Sequence, residues 1–360
     1  MIPVSSTSPA PGTPGINQLD PRKHAAWDDN VRTLEGATFF HSAAWARVLQ
    51  EAYGYQPHYL TKSDATGKLT ALLPLMEVSS WLTGKRGVGL PFTDLVEPLC
   101  SDPANFRELI DAALALGRAR GWKYLECRGG KSWQPEAPAS TSFLRHTLTL
   151  NVGEATLLAG FDDSVRRAMR KAERSGVKVE FSRSPEAMNA FYGLMCQTRR
   201  RHGVPPQPYR FFTNIQRYIL AEREQGWIVL GRDASGLPVA GAIFLHFNRR
   251  AIYKFGASDE NRQELRANNL VFWRSIQHYA NAGFLEMDFG RTSLGNEGLR
   301  KFKLGWGTRE ESVEYTRFDF RTSGHVTAKD EAQGWHNQIF RNLPLPLSRL
   351  AGRFLYRHIA

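Results

Sequence analysis

The sequence predicts an α/β (α+β) chain of two tandem domains with mixed central sheets and a helical tail at the C-terminal end. Three observations predict it. The length of 360 residues is that of about two ordinary domains. Segments of helical and strand periodicity alternate along most of the chain. A junction also repeats. One helical stretch ends at Gly121 before Trp122-Lys123-Tyr124-Leu125-Glu126, and another ends at Gly283 before Phe284-Leu285-Glu286-Met287-Asp288. Glycine, aromatic and acidic residues share offsets, and each junction follows a hairpin and a helix, which marks a duplicated unit. The expected divisions are a leader over 1–22, domains over 23–150 and 151–322, and a basic amphipathic tail over 323–360.

Each element has a local reason. Residues 1–22 are rich in Ser, Thr, Pro and Gly and bury too little apolar surface to order, so they read as a disordered leader. Ser42 caps a helix carrying Trp45, Val48 and Leu49. Strands over His58–Thr61 and Leu69–Val78 flank the turn Asp64–Gly67. A helix from Asn105 to Arg120 presents Leu109, Ile110, Ala113 and Leu116 at helical spacing, and strand Trp122–Cys127 follows. In the second half, a basic helix over Asp163–Ser175 closes at Gly176 and leads into strand Val177–Phe181. Helices near 185–202 and 209–224 flank Gly203-Val204-Pro205-Pro206. Strands Trp227–Gly231, Val239–Phe247 and Ile252–Gly256 follow, then a helix near 264–281 and strand Phe284–Phe289. In the tail, Leu347, Leu350, Ala351, Phe354, Leu355 and Ile359 share one helical face, and Arg349, Arg353 and Arg357 another. Such a helix either lies in an anionic membrane interface or packs on the protein body.

Composition narrows the function classes. A formal charge of +12 and a pI near 9.7 suit a polyanionic partner, such as RNA, a phosphorylated carrier or an anionic membrane face; a merely basic surface is the plainer alternative. Cys100, Cys127 and Cys196 are odd in number and widely spaced, which points to a reducing compartment. Cys127 reads as a small buried hydrophobe. Neither a secretory leader nor a run of roughly 18 apolar residues is present. A cytoplasmic protein is expected, at most peripheral at the inner membrane face. Phosphate-binding glycine loops, a GxSxG elbow and HExxH are absent, so no metal and no cofactor are expected.

Three segments can carry chemistry. Arg166, Arg167, Arg170, Lys171 and Arg174 crowd one helix with only Glu173 to offset them, which suits a polyanionic ligand or a solvated face. The run from Thr198 to Phe212 joins a cationic helix end, including Arg200, to a proline-set loop carrying Gln207 and Tyr209. His202 within it reads as a cap rather than a base. The run from Gly290 to Gly307 follows a strand end, where open α/β sheets bind ligands. Lys303, between Phe302 and Trp306, would be partly desolvated there and able to stabilise an oxyanion.

These runs resemble the FemABX-type aminoacyltransferases and their GNAT-superfamily relatives. The resemblance rests on Phe40-His41-Ser42-Ala43-Ala44-Trp45, Arg166 to Gly176, Arg200-Arg201-His202-Gly203-Val204-Pro205-Pro206-Gln207-Pro208, and Phe302-Lys303-Leu304-Gly305-Trp306-Gly307, in that order over roughly residues 36–320. It implies two GNAT-like domains, with transfer in the second. It implies an aminoacyl-tRNA donor and an amine acceptor, in envelope or peptidoglycan biogenesis. Lys303, Phe302 and Tyr253 then fall at the transfer centre. Arg166, Arg170, Lys171, Arg200, Gln207, Tyr209, Phe255 and Trp306 fall among substrate-binding positions. Departures matter: the family's phosphate-binding lysine, arginine and tyrosine fall on Leu49, Gln207 and Phe211, and a second tyrosine on Phe255. A different amine acceptor, on a polysaccharide, a lipid or a peptide, is therefore expected. An acyl-CoA or acyl-carrier donor is the alternative, although Glu260 to Ala267 lacks the usual glycines. A non-catalytic tRNA- or membrane-binding module is the second alternative.

Overall fold

The computed structural model describes residues 15–327 and 340–359. Most of the leader therefore lies outside the described residues, but its end does not. Strand β1 (Asn17–Leu19) pairs with β3 (Tyr59–Ser63), and Pro21 is buried after it. The disordered leader expected over 1–22 is corrected there, because Ile16 and Leu19 find apolar surface to pack against.

The first half carries α1 (Trp27–Arg32), α2 (Ala43–Tyr53), β2 (Gln56–Pro57), β4 (Leu69–Leu73), β5 (Met76–Ser80), β6 (Gly84–Val88), α3 (Pro103–Arg120), β7 (Tyr124–Cys127) and β8 (Thr141–Thr149). Ser42 caps α2 as expected, its side chain accepting from the Trp45 N–H. The single strand expected over Leu69–Val78 is two strands. Pro74 interrupts the ladder, so β4 stays with β3 in a small three-stranded sheet while β5 joins the large one.

The second half carries α4 (Glu154–Gly160), α5 (Asp163–Arg174), β9 (Lys178–Ser182), α6 (Pro185–Arg201) and α7 (Tyr209–Ile215), which runs on as a π turn to Ala221. Then come β10 (Gly226–Arg232), β11 (Pro238–Phe247), β12 (Arg250–Ser258), α8 (Ala267–Asn281), β13 (Glu286–Ser293), α9 (Glu297–Leu304), β14 (Arg309–Asp319) and the short β15 (Gly324–His325). The tail forms α10 (Leu345–Leu355). Among the described residues no helix is long and apolar enough to cross a membrane.

The large sheet has the order β2-β5-β6-β7-β14-β8-β13-β12-β11-β10-β9. Its two halves repeat one plan. β6 and β7 are parallel with α3 between them in sequence, and β12 and β13 are parallel with α8 between them. The repeated glycine junctions at Gly121 and Gly283 sit at these matching places.

Each half lends its next strand to the other. β8 follows β7 in sequence but pairs with β13, and β14 follows β13 but pairs with β7. The two lent strands also pair with one another. The sheet is thus continuous across residue 150. One core cluster likewise joins Trp45, Leu49 and Tyr53 of α2 to Phe211, Phe212 and Ile215 of α7.

Candidate active site

Two irregularities open the middle of the sheet. β12 pairs with β13 only at Arg250–Glu286, Ala251–Met287 and Ile252–Asp288, after which the parallel strands part. On β12, Tyr253 opposes Phe244 and Phe255 opposes Ile243, so Lys254 is an extra, unpaired residue. Such a bulge re-aims side chains. Tyr253 and Phe255, two apart, would share a face of a regular strand. Here Tyr253 packs with Phe272 and Phe244, while Phe255 packs with Phe211 and Phe212 on the other side. On β13 the register slips between Asp288 and Arg291, and Gly290 takes a φ of +71°. That conformation favours glycine.

A loop of the first half fills the opening. Asp94 lies beyond β6, in a stretch where Leu90 and Phe92 both adopt positive φ. The Trp45 indole donates to Thr93 Oγ1 at 3.2 Å, and Tyr315 Oη donates to the Asp94 carbonyl. Arg291 in turn donates to Tyr315 Oη at 3.0 Å and stacks over Phe143. The Asp94 carboxylate meets the Lys254 ammonium at 2.8 Å and lies 3.9 Å from Arg291 Nε. Asp94 retains 22% side-chain exposure, whereas Lys254 keeps only 5% and is ringed by Phe40, Trp45 and Phe255.

Lys303 approaches from α9, which Asn296 caps by accepting from the Leu299 N–H. It is 2% exposed. Its Nζ donates to the carbonyls of Gly290 at 2.8 Å and Arg291 at 3.1 Å. Burial pushes its pKa down to about 8, with Asp94 and Asp288 opposing the fall and Lys254 adding to it. Burial also lowers Lys254, against the pull of Asp94. Burial would raise Asp94, but Lys254, Arg291 and Lys303 outweigh it and hold the carboxylate below its ordinary range. The centre thus gathers three cations and one partly open carboxylate in a largely buried setting, an arrangement that favours charge developing on a carbonyl oxygen.

The expected site residues divide into three groups. Tyr253 and Phe302 come together around Phe272, at 4.5 Å and 5.3 Å between ring centroids, while Lys303 lies on the Gly290 and Arg291 carbonyls. Trp306, Phe255 and Gln207 are packing residues. Trp306 is fully buried against Phe161 and Phe272. Gln207 is buried with its side chain at 3.4 Å from Tyr53 Oη. Arg170, Lys171 and Arg200 face solvent, and Tyr209 stacks on Tyr192 at the surface. Arg166 folds back onto the Leu158 carbonyl at 2.7 Å and onto Asp163. The buried face of α5 is Val165, Met169 and Ala172, so the cationic residues stay outside because the core claims the other side. Asp288 and Glu126 are structural, paired with Arg145 and with Arg128 and Arg317.

Sequence reasoning missed Asp94, Lys254, Arg291 and Tyr315. Lys254 carried a signal, a lone cation in the otherwise apolar run Ala251-Ile252-Tyr253-Lys254-Phe255-Gly256. Asp94 carried none beyond its place after a strand.

Residues 160–307 match the model of the acetyltransferase (GNAT) domain. FemX superposes with a TM-score of 0.69 at 14% identity, covering 85% of this chain and 98% of that one. The C-terminal domain of a putative lysylphosphatidylglycerol synthetase from Agrobacterium fabrum gives 0.52 at 14% identity, covering 76% and 86%. L-PGS from Bacillus licheniformis gives 0.50 at 13% identity, covering 86% and 96%. No curated protein sequence matches the chain. Residues 160–307 are thus similar to a GNAT-type acetyltransferase domain. The chain as a whole shares the fold of FemX.

Proposed function

We propose that this protein transfers an acyl or aminoacyl group to an amine at the β12–β13 opening. The observation that carries the proposal is the meeting of Lys303 and the Asp94–Lys254 pair where both strands bulge. The acceptor nitrogen attacks the donor carbonyl carbon, and a C–N bond forms. The tetrahedral oxyanion is stabilised by the third proton of Lys303 and the field of Lys254 and Arg291. The C–O or C–S bond of the donor ester or thioester then breaks. The leaving oxygen or sulfur takes up a proton, and the amine's surplus proton passes to water. Asp94 is held too acidic to act as a strong base. It serves instead to fix the Lys254 ammonium and the Arg291 guanidinium beside the donor carbonyl, while the amine attacks in its neutral form.

Aminoacyl-tRNA is the preferred donor. The charge of +12 and the exposed Arg167, Arg170, Lys171 and Arg174 on α5 suit a polyanion, and residues 260–267 lack the glycines of a coenzyme A loop. An acyl-CoA donor is the second reading, favoured by the acetyltransferase match over residues 160–307. The preferred acceptor is an amine of the cell envelope other than a nucleotide-linked precursor. Leu49 and Phe211 are fully buried and cannot bind a diphosphate. One neighbour of like fold is named as a domain of a putative lysylphosphatidylglycerol synthetase, which favours an acceptor presented at a membrane. The test is to offer purified protein aminoacyl-tRNA or acyl-CoA with envelope extract and to weigh the products. An aminoacyl increment on an amine is expected from the tRNA arm; an increment from the acyl-CoA arm alone would select the second reading, and none from either would end both.

A further inference from the structure

The C-terminal helix docks by an unexpected face. Ser348 and Gly352 are the buried residues of α10. A Cβ on Gly352 would lie 1.9 Å from the Pro206 carbonyl oxygen, so only glycine allows this approach. Tyr356 Oη donates to the Pro205 carbonyl at 3.1 Å, and Tyr55 Oη donates to the Tyr356 carbonyl at 2.8 Å. Beyond the helix, Arg86 and Thr83 donate to the His358 carbonyl. The tail is therefore held to the body, with Leu345 and Tyr356 packed on the core, while Leu347, Leu350, Phe354 and Ile359 stay outside.

Those residues form a patch with a neighbour from the first half. Leu347, Leu350, Phe354 and Ile359 are 52%, 63%, 53% and 48% exposed. Trp81 and Leu82, in the turn between β5 and β6, are 79% and 56% exposed, and the Trp81 ring lies 6.5 Å from that of Phe354. Beside the patch runs a groove of about 1060 Å³ between α2, α7 and α10. Arg210, Arg349, Arg353 and Arg357 line it, against one carboxylate, Glu51, which is already engaged by Arg47 and Tyr218. Among the described residues none of the four arginines pairs with a carboxylate.

We propose that this composite face seats the protein on an anionic phospholipid surface, with Trp81, Leu82, Leu350 and Phe354 entering the interface and the four arginines taking lipid phosphates. Arg349 also donates to Cys196 Sγ at 3.4 Å and lies over the Tyr192 ring. Charge complementarity decides the occupant. An apolar patch alone would suit a second protein, but one bordered by arginines without a carboxylate partner among the described residues matches a surface that is apolar at depth and negatively charged at its rim. The tryptophan belongs at such a boundary, being apolar with one polar edge. The inference stands on this face alone and is independent of the transfer chemistry.

The test is cosedimentation of the full chain with phosphatidylcholine vesicles, with and without phosphatidylglycerol. Wild type should partition strongly onto the anionic vesicles and weakly onto the neutral ones. Arg353→Glu with Arg357→Glu should lower anionic binding by about twenty-fivefold or more, because each surface arginine contributes roughly fivefold. Trp81→Ser with Phe354→Ser should lower it further in high salt, where only the apolar contribution survives. All four side chains are exposed, so thermal midpoints should hold. Equal binding to both vesicle types, no binding to either, or variants that bind like wild type would overturn the proposal. So would a dimer that the Trp81/Phe354 variant abolishes while vesicle binding persists, which would assign the face to a second copy of the chain.

Discussion

Lys303 has three protons and uses two on the carbonyls of Gly290 and Arg291. That leaves one for a reacting oxygen, held in place by the other two. As an oxyanion donor it must be charged, and burial sets its pKa at about 8. Turnover should therefore fall as pH rises through about 8, with one proton lost; a profile flat to well above that value would remove Lys303 from the chemistry. The same shift has an opposite sign for stability. The folded chain binds this proton less well than the unfolded chain does, so a cost present below pH 8 is relieved between about 8 and the ordinary lysine value of 10.5. Gly290 is the other exacting position. Alanine there keeps ordinary contacts with Asp94 and Tyr253 but must hold a left-handed φ, a cost of about 1 kcal/mol; denaturant titration of Gly290→Ala reads it. At this scale the sequence made the desolvation of Lys303 legible through its aromatic neighbours. It did not reveal Asp94, whose partner Lys254 is 160 residues away.

Elements defined by local chemistry were legible. The Ser42 cap, the Gly121 and Gly176 terminators and the apolar face of α3 each depend on residues within a few positions of one another. Elements defined by a neighbour were not. The bulge at Lys254 exists only relative to β11, and no feature of β12 alone places it. In α10 the apolar periodicity was correct but marked the exposed face, because docking there depends on close approach through Ser348 and Gly352, with Leu345 and Tyr356 packing at the helix ends. Gly352→Val should therefore release the helix. Overpacking of this kind costs about 1–3 kcal/mol, so tryptic cleavage at Arg353 and Arg357 should speed up by roughly tenfold while the rest of the chain resists. Unchanged cleavage would mean that the helix is held by other contacts. Trp45→Phe probes α2 in the same way. It removes the bond to Thr93 and part of a fully buried ring, and should cost about 1–3 kcal/mol in a melt or denaturant titration.

At the scale of the whole molecule, the exchange of β8 and β14 makes the two halves interdependent. Neither half keeps a complete sheet without the strand the other lends. Urea unfolding followed by tryptophan fluorescence and by circular dichroism should give one coincident transition; two separable transitions would show that the lobes fold alone. The duplication itself was legible, since each copy keeps its glycine junction, but the exchange was not. Sequence order states which strands are close along the chain, and pairing between distant strands is settled by packing that no local pattern records.

Asp94 of one half meets Lys254 and Lys303 of the other, so the centre proposed for acyl transfer lies where the halves join. The direct measurement is the single-turnover rate of transfer to an amine acceptor by Lys303→Met, compared with wild type under conditions where both are fully folded. A loss of about a hundredfold or more is predicted, the scale seen when one oxyanion donor is removed. A rate equal to that of wild type in a correctly folded variant would contradict the proposal that this centre is the site of acyl transfer.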